Sequence, residues 1–329
     1  MTDKLKFLTP HQGVSTAETL EKHTMMNALV RTPNGVKCMK CCTPKISEPS
    51  EVKIKVLRAA ICRTDVFAAM GTIAVDDGRV LGHEFVGVVE EIGSSVSTIR
   101  PGCRVVVNPL VACGECDTCK TGMNHQCPNS RFMGIDIDGA FAQWIVAPAN
   151  QVHELPLNVS DAVGAYAEPL AAVMAILDAD LPANEVIAVT GTGRIADLTE
   201  CVLADHGYQV ARITDTNAES RTFGAVVETD LKSENTRDTL NLLKPGGLLV
   251  LKSRIPGEIS LAPLHCITRR LRIQAVHYAP FERALKYLEL SKDRLETFIG
   301  ETWELEDFEK AFTAACADEK LKIYFAPNG

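Results

Sequence analysis

The chain has 329 residues, of which 46% are hydrophobic and 5% aromatic, and a formal net charge of -8. This length is more than one comfortable core needs and predicts two domains. The acidic balance, the scarcity of stacking rings and the lack of a basic stripe exclude nucleic acid and anionic membrane as expected partners. The opening thirty residues hold no apolar run of the kind a secretory signal or a membrane span requires. A cytoplasmic protein is therefore expected, with its 12 cysteines explained by metal before disulfides.

Residues 1–25 read as a polar extension, and a strand-like pattern begins at Met26. The β-rich part follows. Residues 51–59 alternate, residues 84–93 are β-branched and glycine-bounded, and residues 103–109 form another such run, with Pro and Gly between them as turn signals. A small, closed or half-closed β-barrel is expected here. From about 156 the period changes. Residues 161–179 are rich in Ala and Leu and predict one or two helices. A buried strand over 185–193 runs into a glycine turn, followed by a helix from about Ile195 to His206 and a strand over 208–215. Then come a strand at 224–230, a helix near 234–243, a turn at 244–247, and strands at 248–253 and 271–276. Strands alternating with helices predict a parallel, doubly wound sheet.

Residues 113–127 carry a comb of cysteines with Cys-x2-Cys-x2-Cys-x7-Cys spacing: Cys113, Cys116, Cys119 and Cys127. Four thiolates so close can surround one zinc ion and leave no position for a substrate, which is the pattern of a structural site. An iron–sulfur cluster uses the same ligands, but the neighbouring motifs favour zinc. A second, mixed set comprises Cys62, His83, Glu84 and Glu168, drawn from AICRTD, LGHEFVG and YAEPLAA. Sulfur, nitrogen and oxygen ligands with an open position describe a catalytic zinc site. Each member also has an ordinary reading: Cys62 as a small buried hydrophobe, His83 as a satisfied core histidine, Glu168 as a helix cap.

The order CxTD, GHEFVG, cysteine comb, AEPLA and glycine turn resembles the zinc-dependent medium-chain dehydrogenase/reductase (alcohol dehydrogenase) family, over nearly all of the chain from Met26 to Pro327. Glu in the EPLA segment is most similar to the sorbitol and threonine dehydrogenase types. The resemblance implies an α/β architecture: a GroES-like β-barrel catalytic domain (26–153 and 298–329) and a Rossmann nucleotide-binding domain (154–297). It implies two zinc ions, one catalytic and one structural. Cys62 and His83 would be catalytic ligands, with Glu84 or Glu168 completing the shell; sequence does not rank the two carboxylates. Thr64 matches the hydroxyl that relays the substrate proton. The implied reaction moves a hydride between a secondary alcohol (a polyol, sugar or hydroxy acid) and NAD. A dimer or tetramer is the family habit.

The phosphate turn is GTGRIA, with Gly191, Thr192, Gly193, Arg194 and Ile195 expected against the pyrophosphate and Ala196 in place of the usual third glycine. Asp215 ends the second strand as the expected ribose acid, favouring NAD over NADP; it also reads as an ordinary loop or cap residue. Only a few residues separate Asp215 from the next buried strand, so one edge strand and its helix are expected to be missing. The segment after the fourth strand reads ETDL (228–231) where the family has EATG. These departures sustain an alternative: a zinc-containing homologue with lost or altered cofactor binding, serving as a small-molecule binding or regulatory protein. Lys252 and Ser253 match a family segment near the nicotinamide. Cys38, Cys41 and Cys42 read as thiols on an edge strand and its turn, and Cys103, Cys201, Cys266 and Cys316 as core filler. Residues 304–315 read as an amphipathic helix folding back onto the first domain.

Overall fold

The computed structural model describes residues 24–216 and 223–329. All but the last two residues of the polar extension thus lie outside the described residues.

The expected barrel is present. A seven-stranded sheet centres on Glu51–Ala60, which pairs antiparallel with Glu84–Ile92 along its length. On its other side Glu51–Ala60 divides. Its first half pairs with Trp144–Pro148, and its last two residues pair with Lys322–Phe325. The alternation in EVKIKV places Val52, Ile54 and Val56 inside, with no exposure. They pack with Leu81, Phe85, Phe141 and Phe325, the last two meeting edge to face at 5.0 Å. The hairpin of Met25–Thr32 and Gly35–Cys42 adds a separate edge through bridges from Ala28 to Ala142 and from Val30 to Val80. Cys38, Cys41 and Cys42 lie on that hairpin, as expected for edge-strand thiols.

The second sheet has five parallel strands in the order Gln209–Ile213, Val186–Thr190, Phe223–Glu228, Leu243–Leu251 and Arg272–Ala275. The chain moves first to one side of Val186–Thr190 and then to the other. The carboxyl end of that strand is the switch point, where ligands of doubly wound sheets bind. Among the described residues Gln209–Ile213 is the edge of the sheet, in keeping with the shortened interval after Asp215.

The Ala- and Leu-rich segment forms Asp161–Gly164, Ala167–Met174 and a 3₁₀ turn over Ala175–Asp178. Every residue of Ala167–Met174 is buried, because the helix lies in one apolar cluster with Val86 and Tyr324 of the barrel and Ile187, Val189 and Val250 of the parallel sheet. Glu168 is the one charged residue carried into that cluster's helix.

Two expectations need correction. The KPGG turn does not separate two elements: Leu243–Leu251 is one strand, and the turn becomes a bulge where the register jumps from Phe223–Leu243 to Ala225–Leu248, with Gly246 at φ +80. Cys316 is exposed rather than core filler, because Ala311 faces inward on the helix Phe308–Ala317 and residue 316 falls on the opposite side; Cys103, Cys201 and Cys266 are half-buried.

Candidate metal and nucleotide sites

The loop of the cysteine comb is built around its thiols. Cys116 precedes the short helix Asp117–Lys120, Cys119 lies on it, and Cys127 follows the 3₁₀ turn Asn124–Gln126. The sulfur separations are 4.0 Å (Cys113–Cys119), 3.5 Å (Cys116–Cys119), 3.8 Å (Cys116–Cys127) and 3.6 Å (Cys127–Cys113). A tetrahedral zinc with bonds of about 2.3 Å sets its sulfurs roughly 3.8 Å apart, so the four thiols fit that ion. The backbone N–H groups of Glu115 and Cys116 hold the Cys113 thiol down to about 6, whereas burial and the Cys116 sulfur push Cys119 up to about 12. A divalent cation resolves this imbalance by holding all four as thiolates.

The second group is Cys62, His83 and Glu84, whose ligand atoms all lie within 4.8 Å of one another. Its geometry comes from local folding. Cys62 caps the helix Arg63–Ala69, and its N–H donates to Asp65 Oδ2 at 2.8 Å. The other oxygen of Asp65 faces His83 Nδ1 at 3.2 Å, in ion-pair range though not in good hydrogen-bond alignment. Asp65 and His83 both have zero exposure. His83 Nε2 is buried with no hydrogen-bond partner, the vacancy expected of a metal ligand whose other nitrogen is held by a carboxylate. Burial alone lowers the His83 pKa; Asp65 and Cys62 outweigh it and hold it well above the usual imidazole value.

The structure separates the two carboxylates that sequence left unranked. Glu84 opens the strand Glu84–Ile92 beside His83, inside the group, and pairs with the buried Lys322. Burial raises its pKa against the pull of Lys322. Glu168 lies outside the group. It accepts the Tyr278 O–H and has Arg254 Nη1 at 3.5 Å. Burial raises its pKa, but Arg254, His83 and Tyr278 together hold it below the usual carboxylate range. Thr64 Oγ1 stands 3.7 Å from Cys62 Sγ. Cys38, Cys41 and Cys42 form no metal-competent group among the described residues.

One cavity of about 340 Å³ joins this group to the glycine turn: Cys62, Thr64 and Glu84 line it at one end, Thr192, Arg194 and Ile195 at the other. Gly191 has φ +108, and a Cβ there would meet Thr229 Oγ1 at 2.4 Å, so only glycine fits. Gly193 caps the helix Arg194–Asp205, and Ala196 is wholly buried, as its packing role requires. Asp215 is exposed, two residues beyond the strand Gln209–Ile213. The turn thus fits a pyrophosphate, with one obstruction. The Arg194 N–H donates to the Glu319 carbonyl at 3.0 Å, and the Glu319 carboxylate, ion-paired with Arg63, lies over Gly193.

Several residues of the site escaped sequence reasoning. Asp65 stood within the CxTD motif but had no assigned partner. Lys322, Arg254, Tyr278 and Glu319 are distant in sequence from what they touch. Glu228, which opens the ETDL segment but was given no role from sequence, is 1% exposed and accepts the backbone N–H groups of Leu231, Lys252 and Ser253 at 2.9, 2.6 and 2.9 Å. It ties together the ends of two strands beneath the cavity. Burial, then Arg254, pushes the Lys252 amine down to about 7.

The chain is similar to known proteins in sequence and in fold. Residues 48–157 match the alcohol dehydrogenase GroES-like domain. The 2-dehydro-3-deoxy-L-galactonate 5-dehydrogenase of Pseudoalteromonas atlantica is 37% identical over 195 residues, 58% of this chain and 56% of that protein. The L-threonine 3-dehydrogenase of Mesorhizobium japonicum is 34% identical over 232 residues, 67% of this chain and 66% of that one. The chain therefore spans a little over half to about two thirds of the length of these curated relatives. A zinc-binding dehydrogenase structure from Sinorhizobium meliloti, bound to NADP, superposes with a TM-score of 0.81 at 25% identity, covering 92% of this chain and 100% of that one.

Proposed function

The chain belongs to the zinc-dependent medium-chain dehydrogenase/reductase family, and on that premise we propose that it is an oxidoreductase moving a hydride between a secondary alcohol (a polyol, sugar or hydroxy acid) and NAD. The observation that carries this reading is the single cavity shared by the Cys62, His83 and Glu84 group and the glycine turn. Hydride transfer needs the two reacting carbons in contact, which one shared cavity permits.

Cys62, His83 and Glu84 would hold the catalytic zinc, and Cys113, Cys116, Cys119 and Cys127 the structural one. When bound, the catalytic ion supplies Lewis acidity to an alcohol oxygen and NAD supplies the hydride acceptor. The chain's own residues do the rest. Asp65 fixes the His83 ring. Thr64, whose Oγ1 is 3.7 Å from Cys62 Sγ, would take the alcohol proton and pass it outward. Glu168, held below the usual carboxylate range by Arg254, His83 and Tyr278, lines the same cavity as Lys252. Gly191, Thr192, Gly193, Arg194 and Ile195 would offer backbone donors at a helix N-terminus to a pyrophosphate, and Asp215 would accept ribose hydroxyls and repel a 2′-phosphate.

The test is reduction of NAD⁺, followed by absorbance, on zinc-replete protein with a panel of polyols and hydroxy acids. Turnover lost on Cys62→Ser and on zinc removal is expected; full turnover in Cys62→Ser would sink the zinc mechanism. One observation favours the second reading, a homologue with altered cofactor binding: Glu319 already engages the phosphate turn.

A further inference from the structure

We infer that the substrate bears a terminal oxyanion, a carboxylate or a phosphate ester, and that Arg254 and Lys252 receive it while the alcohol carbon faces Cys62, His83 and Glu84. This deepens the dehydrogenase reading and rests on it.

Lys252 and Arg254 follow the strand Leu243–Leu251 at the carboxyl end of the parallel sheet, and both line the cavity that contains Cys62 and Thr64. Glu228 fixes their backbone by accepting the N–H groups of Lys252 and Ser253. Both side chains hold donors without partners. Lys252 is 6% exposed, and its Nζ makes no hydrogen bond or ion pair among the described residues. Arg254 gives Nη1 to the Tyr278 oxygen at 2.8 Å and stacks on that ring at 4.5 Å, but its Nη2 is out of solvent and unpartnered.

The acids nearby are already engaged. Glu228 is taken by three backbone N–H groups, Glu168 by Tyr278 and Arg254, and Glu84 by Lys322. Lys252 is thus left without a carboxylate within ion-pair distance among the described residues. A neutral polyol could accept hydrogen bonds from these donors but would bring no charge to offset theirs, whereas an oxyanion supplies both acceptor and charge. A site with buried polar groups of this kind discriminates strongly against a ligand lacking the matching group.

The experiment is calorimetric titration of the full-length, zinc-replete protein with three matched series: alditols of four to six carbons, aldonates of the same lengths, and the corresponding alditol phosphates. At least one anionic series is expected to bind tenfold or more tightly than the alditols, and which series does so identifies the carboxylate or the phosphate as the source. Arg254→Gln and Lys252→Gln, two independent variants, should each shrink that gap several-fold, and added salt should shrink it in the wild type. The inference is overturned if no anion binds, if alditols bind equally well, or if the gap survives in both variants. Alditol turnover without anion preference would overturn this inference alone. Anion binding without hydride transfer would instead overturn the dehydrogenase reading.

Discussion

Replacing Lys252 by Met should make the protein more stable, and the gain should depend on pH. Lys252 is 6% exposed, and burial, then Arg254, lowers its pKa from 10.5 to about 7. Between pH 7 and 10.5 the unfolded chain holds a proton that the folded chain lacks, so stability of the wild type rises with pH across that window. Below pH 7 both states are charged and the whole cost is present. At about 1.36 kcal/mol per pH unit, the interval from 10.5 to about 7 sets a ceiling of about 5 kcal/mol on that cost. Water entering the cavity and side-chain movement reduce this to roughly 2–4 kcal/mol. Met keeps the volume and cannot titrate. Urea unfolding of the two zinc-replete proteins should therefore show Lys252→Met ahead by roughly 1 M in midpoint at pH 6, for a slope of about 3 kcal/mol/M. At pH 9.5 the advantage should fall to about 1 kcal/mol or less by the same linkage. Equal midpoints at both pH values, or a less stable variant at pH 6, would refute the placement of an ammonium without an ion pair in the cavity. A residue retained at such a cost points to use in binding rather than in folding.

Other substitutions probe the remaining parts. Asp65→Asn should lower zinc affinity at the Cys62 group by about 10- to 100-fold, read by competition with a chromophoric chelator; unchanged affinity would remove Asp65 as the residue that orients His83. Cys116→Ser should reduce bound zinc by one equivalent and lower the melting temperature, with retention of two equivalents contradicting the structural site. Glu319→Gln removes a carboxylate from the helix N-terminus at Gly193 and should tighten dinucleotide binding by roughly tenfold, about 1.4 kcal/mol, as measured by calorimetry. Weaker binding would mean that Glu319 supports the nucleotide rather than competing with it.

The fold was legible where one local rule dominated. Alternation in residues 51–59 placed Val52, Ile54 and Val56 correctly, and the cysteine comb was readable because its spacing already matches a tetrahedron. The short interval after Asp215 is in keeping with Gln209–Ile213 being the edge of the parallel sheet among the described residues. Boundaries drifted where tertiary pairing overrode turn chemistry, as when Leu243–Leu251 ran through KPGG. At the site, local motifs singled out Cys62, Thr64, His83, Glu84 and Glu168 but did not show the different surroundings of the two carboxylates, which arise from the contacts of Tyr278 and Arg254 with Glu168. Those partners are 110 and 86 residues away from Glu168 in sequence, and no periodicity records such a pairing. Glu319 escaped for the same reason: only the return of the chain to Lys322–Phe325 brings it over the phosphate turn.

The most direct measurement is calorimetric titration of the zinc-replete protein with NAD⁺ and then with NADP⁺. The expected result is that NAD⁺ binds with clear preference, Glu319 yielding to the pyrophosphate and Asp215 excluding the 2′-phosphate. Binding of neither dinucleotide would contradict it, and the cavity between the Cys62 group and the glycine turn would then belong to a zinc protein that no longer transfers hydride.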